Sequence, residues 1–262
     1  MSVRLLAPAK VNLYLHVLGR QDDGYHDLES LVAFADVGDE ILIEPAATFS
    51  CSIDGEFAQH LDSENNSVVE AARWVAARLE RELDVRIALV KNLPVAAGIG
   101  GGSSDAAAVI RGLLRHWGED NRLEDLIAPS FELGADVPVC LYGRPAIVRG
   151  AGDVFEPYAM ERPLYAVLVN PLRSCSTAVV FGMYEAGGDL SGERNDLQAA
   201  AVKIVPEILD VLEALSGAQY ARMSGSGATC FGVYETQDAA RNAAVDIARM
   251  YPEWWVRDCV IS

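Results

Sequence analysis

The chain has 262 residues, 51% of them apolar, and a formal net charge of −17 with only three lysines among its 21 basic residues. That length allows one large domain or two modest ones around an ample core. The acidity disfavours nucleic acid, which needs a basic surface, and no apolar run reaches the roughly 18 residues of a membrane span.

Along the first strand, Val11, Leu13, Leu15 and Val17 alternate with Asn12, Tyr14 and His16, the pattern of a half-buried strand. Lys10 shares the face of Asn12 and, by itself, reads as a solvated strand-end lysine. Asp23-Gly24 marks a turn, and Tyr25 and His26 follow it directly. An aromatic beside an imidazole could stack on a ring and hydrogen-bond its edge, although such a pair after a turn is ordinarily surface or half-core. Residues 39–43 and 48–53 read as strands. Asn65-Asn66-Ser67 then opens a helix whose Val68, Val69, Ala71, Ala72, Val75, Ala76 and Leu79 form one stripe, with Asn66 a natural cap.

Val85, Ile87 and Leu89 predict another strand, followed at 94–107 by PVAAGIGGGSSDAA. Gly98, Gly100, Gly101 and Gly102 precede Ser103 and Ser104, and helical spacing starts at once through Ala106, Ala107, Ile110, Leu113 and Trp117. In a strand–glycine loop–helix unit, the helix start offers unpaired N–H groups and the positive end of a dipole to a phosphate. A flexible loop before a serine-capped helix is the ordinary alternative. The loop matches neither a Walker A sequence nor a Rossmann fingerprint.

A helix over about 123–132 leads to Gly-Ala-Asp-Val-Pro at 134–138, where Asp136 fits a turn or cap, and residues 139–141 read as a strand. Pro157, Pro163 and several charges interrupt the pattern at 153–163, placing a domain boundary there. Beyond it come a strand at 164–169, a helix at 176–186 carrying Phe181 as ordinary core, and a polar loop at 187–195. Helices at 196–203 and 206–216 follow, then strands at 218–223 and 228–234 around Ser224-Gly225-Ser226-Gly227. A helix at 237–250 and a strand at 254–261 complete a β-α-β-β-α-β order, which suggests a ferredoxin-like layer. Five scattered cysteines without a CxxC pair point to buried free thiols, and the N-terminal residues lack an apolar secretion core, so a cytoplasmic protein is expected.

Pro94, Gly98, Ile99 and the run Gly100–Ser104 are similar to the second motif of the GHMP kinases, with Ile99 where that motif has leucine. Residues 8–30, PAKVNLYLHVLGRQDDGYHDLES, resemble the first motif in the branch of that family serving the non-mevalonate isoprenoid route. Ser224–Phe231 resembles the third motif, and Gly-Ala-Asp-Val-Pro the segment around the family's catalytic aspartate. Gly152-Asp153 stands where the family usually has Gly-Glu.

The resemblance implies an α+β, two-domain GHMP kinase fold. Residues 1–155 would form an ATP-binding domain like ribosomal protein S5 domain 2, and residues 156–262 a ferredoxin-like domain, with the active site in the cleft between them. It implies transfer of the γ-phosphoryl group of ATP, with Mg2+, to the 2-hydroxyl of 4-diphosphocytidyl-2-C-methyl-D-erythritol by a monomer or weak homodimer. Asp136 would accept the proton and Lys10 neutralise charge at the transferring group. Pro94, Gly98, Gly100, Gly101, Gly102, Ser103 and Ser104 would cradle the phosphates, with Ser104 at the metal. Asn66 and Lys91 would contact the nucleotide. Tyr25 and Phe181 would sandwich the cytosine, His26 bond its edge, and Asn12 meet the erythritol or diphosphate. A sibling kinase for another alcohol, or a non-catalytic sugar- or nucleotide-binding regulator on the same fold, are the alternatives.

Overall fold

A computed structural model describes residues 2–20, 26–185 and 192–262. The chain forms two compact units, each made of separated pieces. Unit 1 comprises Met1–Ala9, Gly38–Val95 and Gly100–Gly143, and unit 2 comprises Lys10–Val37, Ala96–Ile99 and Arg144–Ser262. A single cut at 155/156 does not separate them, because two long strands, β1 (Val3–Arg20) and β2 (His26–Pro45), each supply residues to both.

In unit 1 the second half of β2 pairs antiparallel with β4 (Val85–Val90), and β3 (Ser50–Asp54) runs parallel on the other edge of β4. The alternation of Ile41 and Ile43 against Leu89 and Ile87 buries all four side chains. Helices α1 (Ser67–Arg78) and α2 (Gly101–Trp117) pack on each other. Gly112 lets α2 lie close: a Cβ there would stand 2.5 Å from Ile43 Cδ1 and 2.9 Å from Leu5 Cδ1. The expected 123–132 helix is α3 (Leu123–Ile127) continued by a tighter 3-10 segment, Ala128–Leu133, where Pro129 lacks the N–H an α-helix needs.

Residues 139–141 are helical, not a strand: they lie within α4 (Val137–Tyr142). Pro138 occupies the first turn, where its missing N–H is no loss, and Gly143 ends the helix in the left-handed region with φ +66. These end signals outweigh the strand preference of the valines.

Unit 2 carries the predicted ferredoxin-like layer. Strands β7 (Leu164–Asn170), β8 (Tyr220–Met223), β9 (Cys230–Tyr234) and β10 (Trp255–Ile261) pair antiparallel in the order β10-β7-β9-β8. The helices α5 (Thr177–Met183), α6 (Gln198–Ile204), α7 (Glu207–Ala214) and α8 (Gln237–Met250) complete it. Val167, Val169, Val180, Leu197, Val211 and Ile247 share its core. The first half of β2 pairs with β5 (Ala146–Gly150), which pairs in turn with β6 (Val154–Pro157), a short strand inside the stretch read as a boundary. All five cysteines are free; four are buried and Cys51 is half-buried. Among the described residues, no helix is long and apolar enough to cross a membrane.

Candidate active site

In unit 1 the candidate residues gather at the start of α2. Gly100 takes the left-handed conformation at φ 62, and the helix has no side-chain cap. In contrast, α1 is capped by Asn66, whose Oδ1 accepts from the N–H groups of Val68 and Val69, and α8 is capped by Thr236. An uncapped, glycine-lined start on a long helix leaves first-turn N–H groups for an anion. Gly100, Gly101 and Ser103 are half-buried, Gly102 is exposed and Pro94 is buried.

Ser104 is turned inward. The residue is 2% exposed, and its hydroxyl donates to Pro8 O at 2.6 Å and lies 3.5 Å from Cys140 Sγ. That orientation does not fit the metal-ligand role expected for it, whereas Ser103 beside it remains accessible. Asn66, expected at the nucleotide, also has its Nδ2 in use, donating to Asp62 O at 2.6 Å.

Lys91 is the centre of a buried charge cluster. Its ammonium lies 2.5 Å from Asp39 Oδ2 and 2.6 Å from Asp105 Oδ2. The other Asp39 oxygen accepts from the N–H groups of Asn92 and Leu93 at 2.6 and 2.8 Å. The end of β4, the middle of β2 and the second turn of α2 are thereby tied at one point. The ammonium also stands 3.2 Å from where a Cβ on Gly101 would be, directly beneath the glycine loop. Burial alone would lower the Lys91 pKa, but Asp105 and Asp39 overcome it and hold the ammonium charged. Burial pushes the Asp105 carboxyl up to about 7, with Asp39 adding to that and Lys91 opposing it. So the Lys91 ammonium, expected at the nucleotide base, is engaged by two carboxylates. Neither aspartate carries a sequence signal of this role, since they lie 52 and 14 residues from the lysine.

Asp136 is the residue before α4, half-buried, and makes no side-chain capping bond. Its capping position was legible from Gly134 and Pro138.

In unit 2, Lys10 is 4% exposed, so it is not a solvated strand-end lysine, and its N–H donates to Ile99 O at 2.9 Å. Asn12 is 4% exposed, and its Nδ2 donates to Ser30 Oγ at 2.7 Å. The Ala96–Ile99 part of the glycine loop lies against the loop after β8. Ser224 Oγ donates to Gly98 O at 3.0 Å, and Thr229 N–H donates to Ala97 O at 3.1 Å. Asn195, which sequence reading passed over, fixes that second loop from below: its Nδ2 donates to Met223 O at 2.8 Å and to Gly225 O at 2.7 Å.

Gly98 itself has φ +75, and a Cβ there would fall 2.5 Å from Ser224 O and 2.7 Å from Gly227 N. Gly98→Ala is therefore expected to cost at least about 1–3 kcal/mol in strain and to separate the two loops. Thermal unfolding and turnover should both fall; an unchanged Tm would refute this account of the loop contact.

His26 stacks loosely on Phe181, with centroids 4.8 Å apart and planes 31° from parallel, and meets Tyr184 edge-on at 6.3 Å. Burial lowers the His26 pKa, helped by Arg20. Tyr25 lies outside the described residues.

The profile of the GHMP kinases N-terminal domain matches residues 66–144, and that of the GHMP kinases C-terminal domain matches residues 182–253. The chain is 43% identical to a 4-diphosphocytidyl-2-C-methyl-D-erythritol kinase of Paramagnetospirillum magneticum, over 97% of both chains. It is 45% identical to that of Agrobacterium fabrum, over 95% of this chain and 93% of the relative. A crystal structure of 4-(cytidine 5'-diphospho)-2C-methyl-D-erythritol kinase matches with a TM-score of 0.84 and 34% identity, covering 99% of each chain. A homoserine kinase from Cytophaga hutchinsonii, 20% identical with a TM-score of 0.74 over 98% of this chain and 94% of its own, shares the fold. The chain therefore belongs to the GHMP kinases, within the family of 4-diphosphocytidyl-2-C-methyl-D-erythritol kinases.

Proposed function

We infer that this protein transfers the γ-phosphoryl group of ATP to the 2-hydroxyl of 4-diphosphocytidyl-2-C-methyl-D-erythritol, giving the 2-phosphate, in the methylerythritol phosphate route to isoprenoids. The observation that carries this reading is the identity of 43–45% to kinases of that name across nearly the whole chain. The uncapped, glycine-lined start of α2 supports the use of a phosphate donor.

The chemistry asks for positioning, charge neutralisation and a proton acceptor. The substrate oxygen forms a bond to the γ-phosphorus as the bond from that phosphorus to the bridging oxygen breaks, and ADP leaves. Asp136 takes the hydroxyl proton, and Lys10 neutralises charge on the transferring group. Backbone N–H groups at the start of α2 hold the phosphates. Mg2+, when bound with ATP, supplies further charge neutralisation, and the accessible Ser103 hydroxyl suits it better than the inward Ser104. Tyr25 and Phe181 take the cytosine, with His26 at its edge. The active species is a cytoplasmic monomer or weak homodimer.

Incubation with ATP and the cytidine-linked substrate, followed by location of the new phosphate by 31P NMR, tests this. Phosphate on the 2-oxygen is the expected result. Transfer only to homoserine or mevalonate, or no transfer at all, overturns it.

A further inference from the structure

Three of the four glycines in the loop are explained by the protein around them. Gly98 and Gly100 have positive φ, and a Cβ on Gly101 would press on Lys91 Nζ at 3.2 Å. Gly102 has no such reason. It lies in the first turn of α2 without a positive φ, and a Cβ there would meet only Ser67, at 3.5 Å from Oγ and 3.8 Å from Cβ. Those are ordinary contact distances, so alanine would fit, and alanine is the better helix former. Gly102 is also exposed. A glycine that neither backbone conformation nor packing demands keeps its surface clear for the close approach of a ligand.

Ser67 is the side chain that faces this spot. It is the first residue of α1, so the starts of α1 and α2 meet there. The polar side chains around it are committed. Asn66 spends Oδ1 on the N–H groups of Val68 and Val69, and Nδ2 on Asp62 O. Ser104 donates to Pro8 O, and Lys91 is held by Asp39 and Asp105. Ser67 is half-buried, and its hydroxyl bonds to no other described residue. The positive ends of two helices favour an anion. An ionised phosphate oxygen has no proton to give, whereas a serine hydroxyl does. We propose that Ser67 is a further nucleotide-binding residue, its hydroxyl donating to a phosphate oxygen of ATP that lies over Gly102. This rests on the function proposed above and adds a donor that the glycine motif does not contain.

The test titrates Ser67→Ala, Ser67→Thr, Gly102→Ala and the wild type with ADP and with adenosine, beside thermal melts. Loss of a hydrogen bond to a charged group should weaken ADP about 10-fold or more in Ser67→Ala. Adenosine, which has the base and ribose but no phosphate, should stay within about twofold of its wild-type affinity. Ser67→Thr keeps the hydroxyl and should restore most of the ADP affinity. The Tm should hold, because Asn66 and not Ser67 caps α1. In Gly102→Ala the added methyl takes the place of the ligand, so ADP should weaken while the Tm stays level or rises. Unchanged ADP affinity in Ser67→Ala overturns the proposal. Equal losses for ADP and adenosine would put the contact on the nucleoside and overturn it as well. Should Ser67→Ala not fold, Gly102→Ala decides, and full ADP affinity there is fatal. Wild-type turnover separates the two failures. A wild type without phosphoryl transfer overturns the function and this proposal together, while an active wild type with an indifferent Ser67→Ala overturns only the role of Ser67.

Discussion

Replacing Asp136 with asparagine is expected to lower kcat about 10²–10⁴-fold, the usual contribution of a positioned proton acceptor, with Tm nearly unchanged. The amide has the shape of the carboxylate but cannot take the hydroxyl proton as the oxygen attacks phosphorus. Folding should tolerate the change because α4 does not use the Asp136 side chain as a cap. That helix is started by Pro138 and closed by Gly143, and Asp136 contributes its main-chain oxygen, which accepts from Cys140 N–H at 3.1 Å. KM for ATP should move by no more than a few-fold, since binding and proton acceptance are separate tasks. Steady-state kinetics beside a thermal melt checks both halves. A folded variant with near-wild-type turnover removes Asp136 from the chemistry.

The largest loss of stability is expected from Lys91→Met. The substitution leaves Asp39 and Asp105, 0% and 1% exposed, facing each other without their counter-ion. Breaking a buried ion pair from one side costs about 3–5 kcal/mol, which in a chain of this size lowers Tm by about 6–20 °C. The deficit should depend on pH. The Asp105 carboxyl is already raised to about 7, against 3.8 ordinarily, so the folded state holds its proton more tightly than the unfolded chain. Stability from that proton is present at low pH and lost as pH rises through about 7. Removing the lysine removes the one group that opposes this shift. The Tm deficit should therefore be smaller at pH 5.5 than at pH 8 in thermal melts. A variant with normal stability but a raised KM for ATP would instead place Lys91 at the nucleotide.

Much of this molecule is legible in its sequence, for reasons that differ from element to element. The central strands of unit 2 follow from short apolar runs buried on both faces, β7 and β9 among them, while the turns are marked by glycine, proline and serine. The glycine loop is legible because glycine adopts conformations such as φ +75 at Gly98 and +62 at Gly100 without the steric cost other residues carry. Residues 139–141 were not, because valines favour strands and the flanking proline and glycine decide the outcome only together. The unit boundaries were not, because β1 and β2 read as ordinary strands and nothing local says that each serves two units. Site residues recognised by motif say which side chains matter, but not what holds them. Ser30, Asn195, Asp39 and Asp105 act on partners distant in the chain, and a serine on a strand or an aspartate before one has no pattern that reveals such a partner.

The division of β2 also bears on how the chain is made. Its first half meets β10 at Ala35↔Ile261, with Phe34 and Ser262 exchanging main-chain bonds and Val260 N–H reaching Asp36 Oδ1 across 224 residues. Every residue of unit 1 has been synthesised by Gly143, whereas residues 10–37 of unit 2 cannot find this partner until β10 has emerged. At about 5–20 residues per second, that is a wait of about 6–24 seconds. Through it, unit 1 can acquire its phosphate loop helix while one edge of β2 remains open to strangers. On the ribosome that edge stays uncovered until β10 arrives to close it.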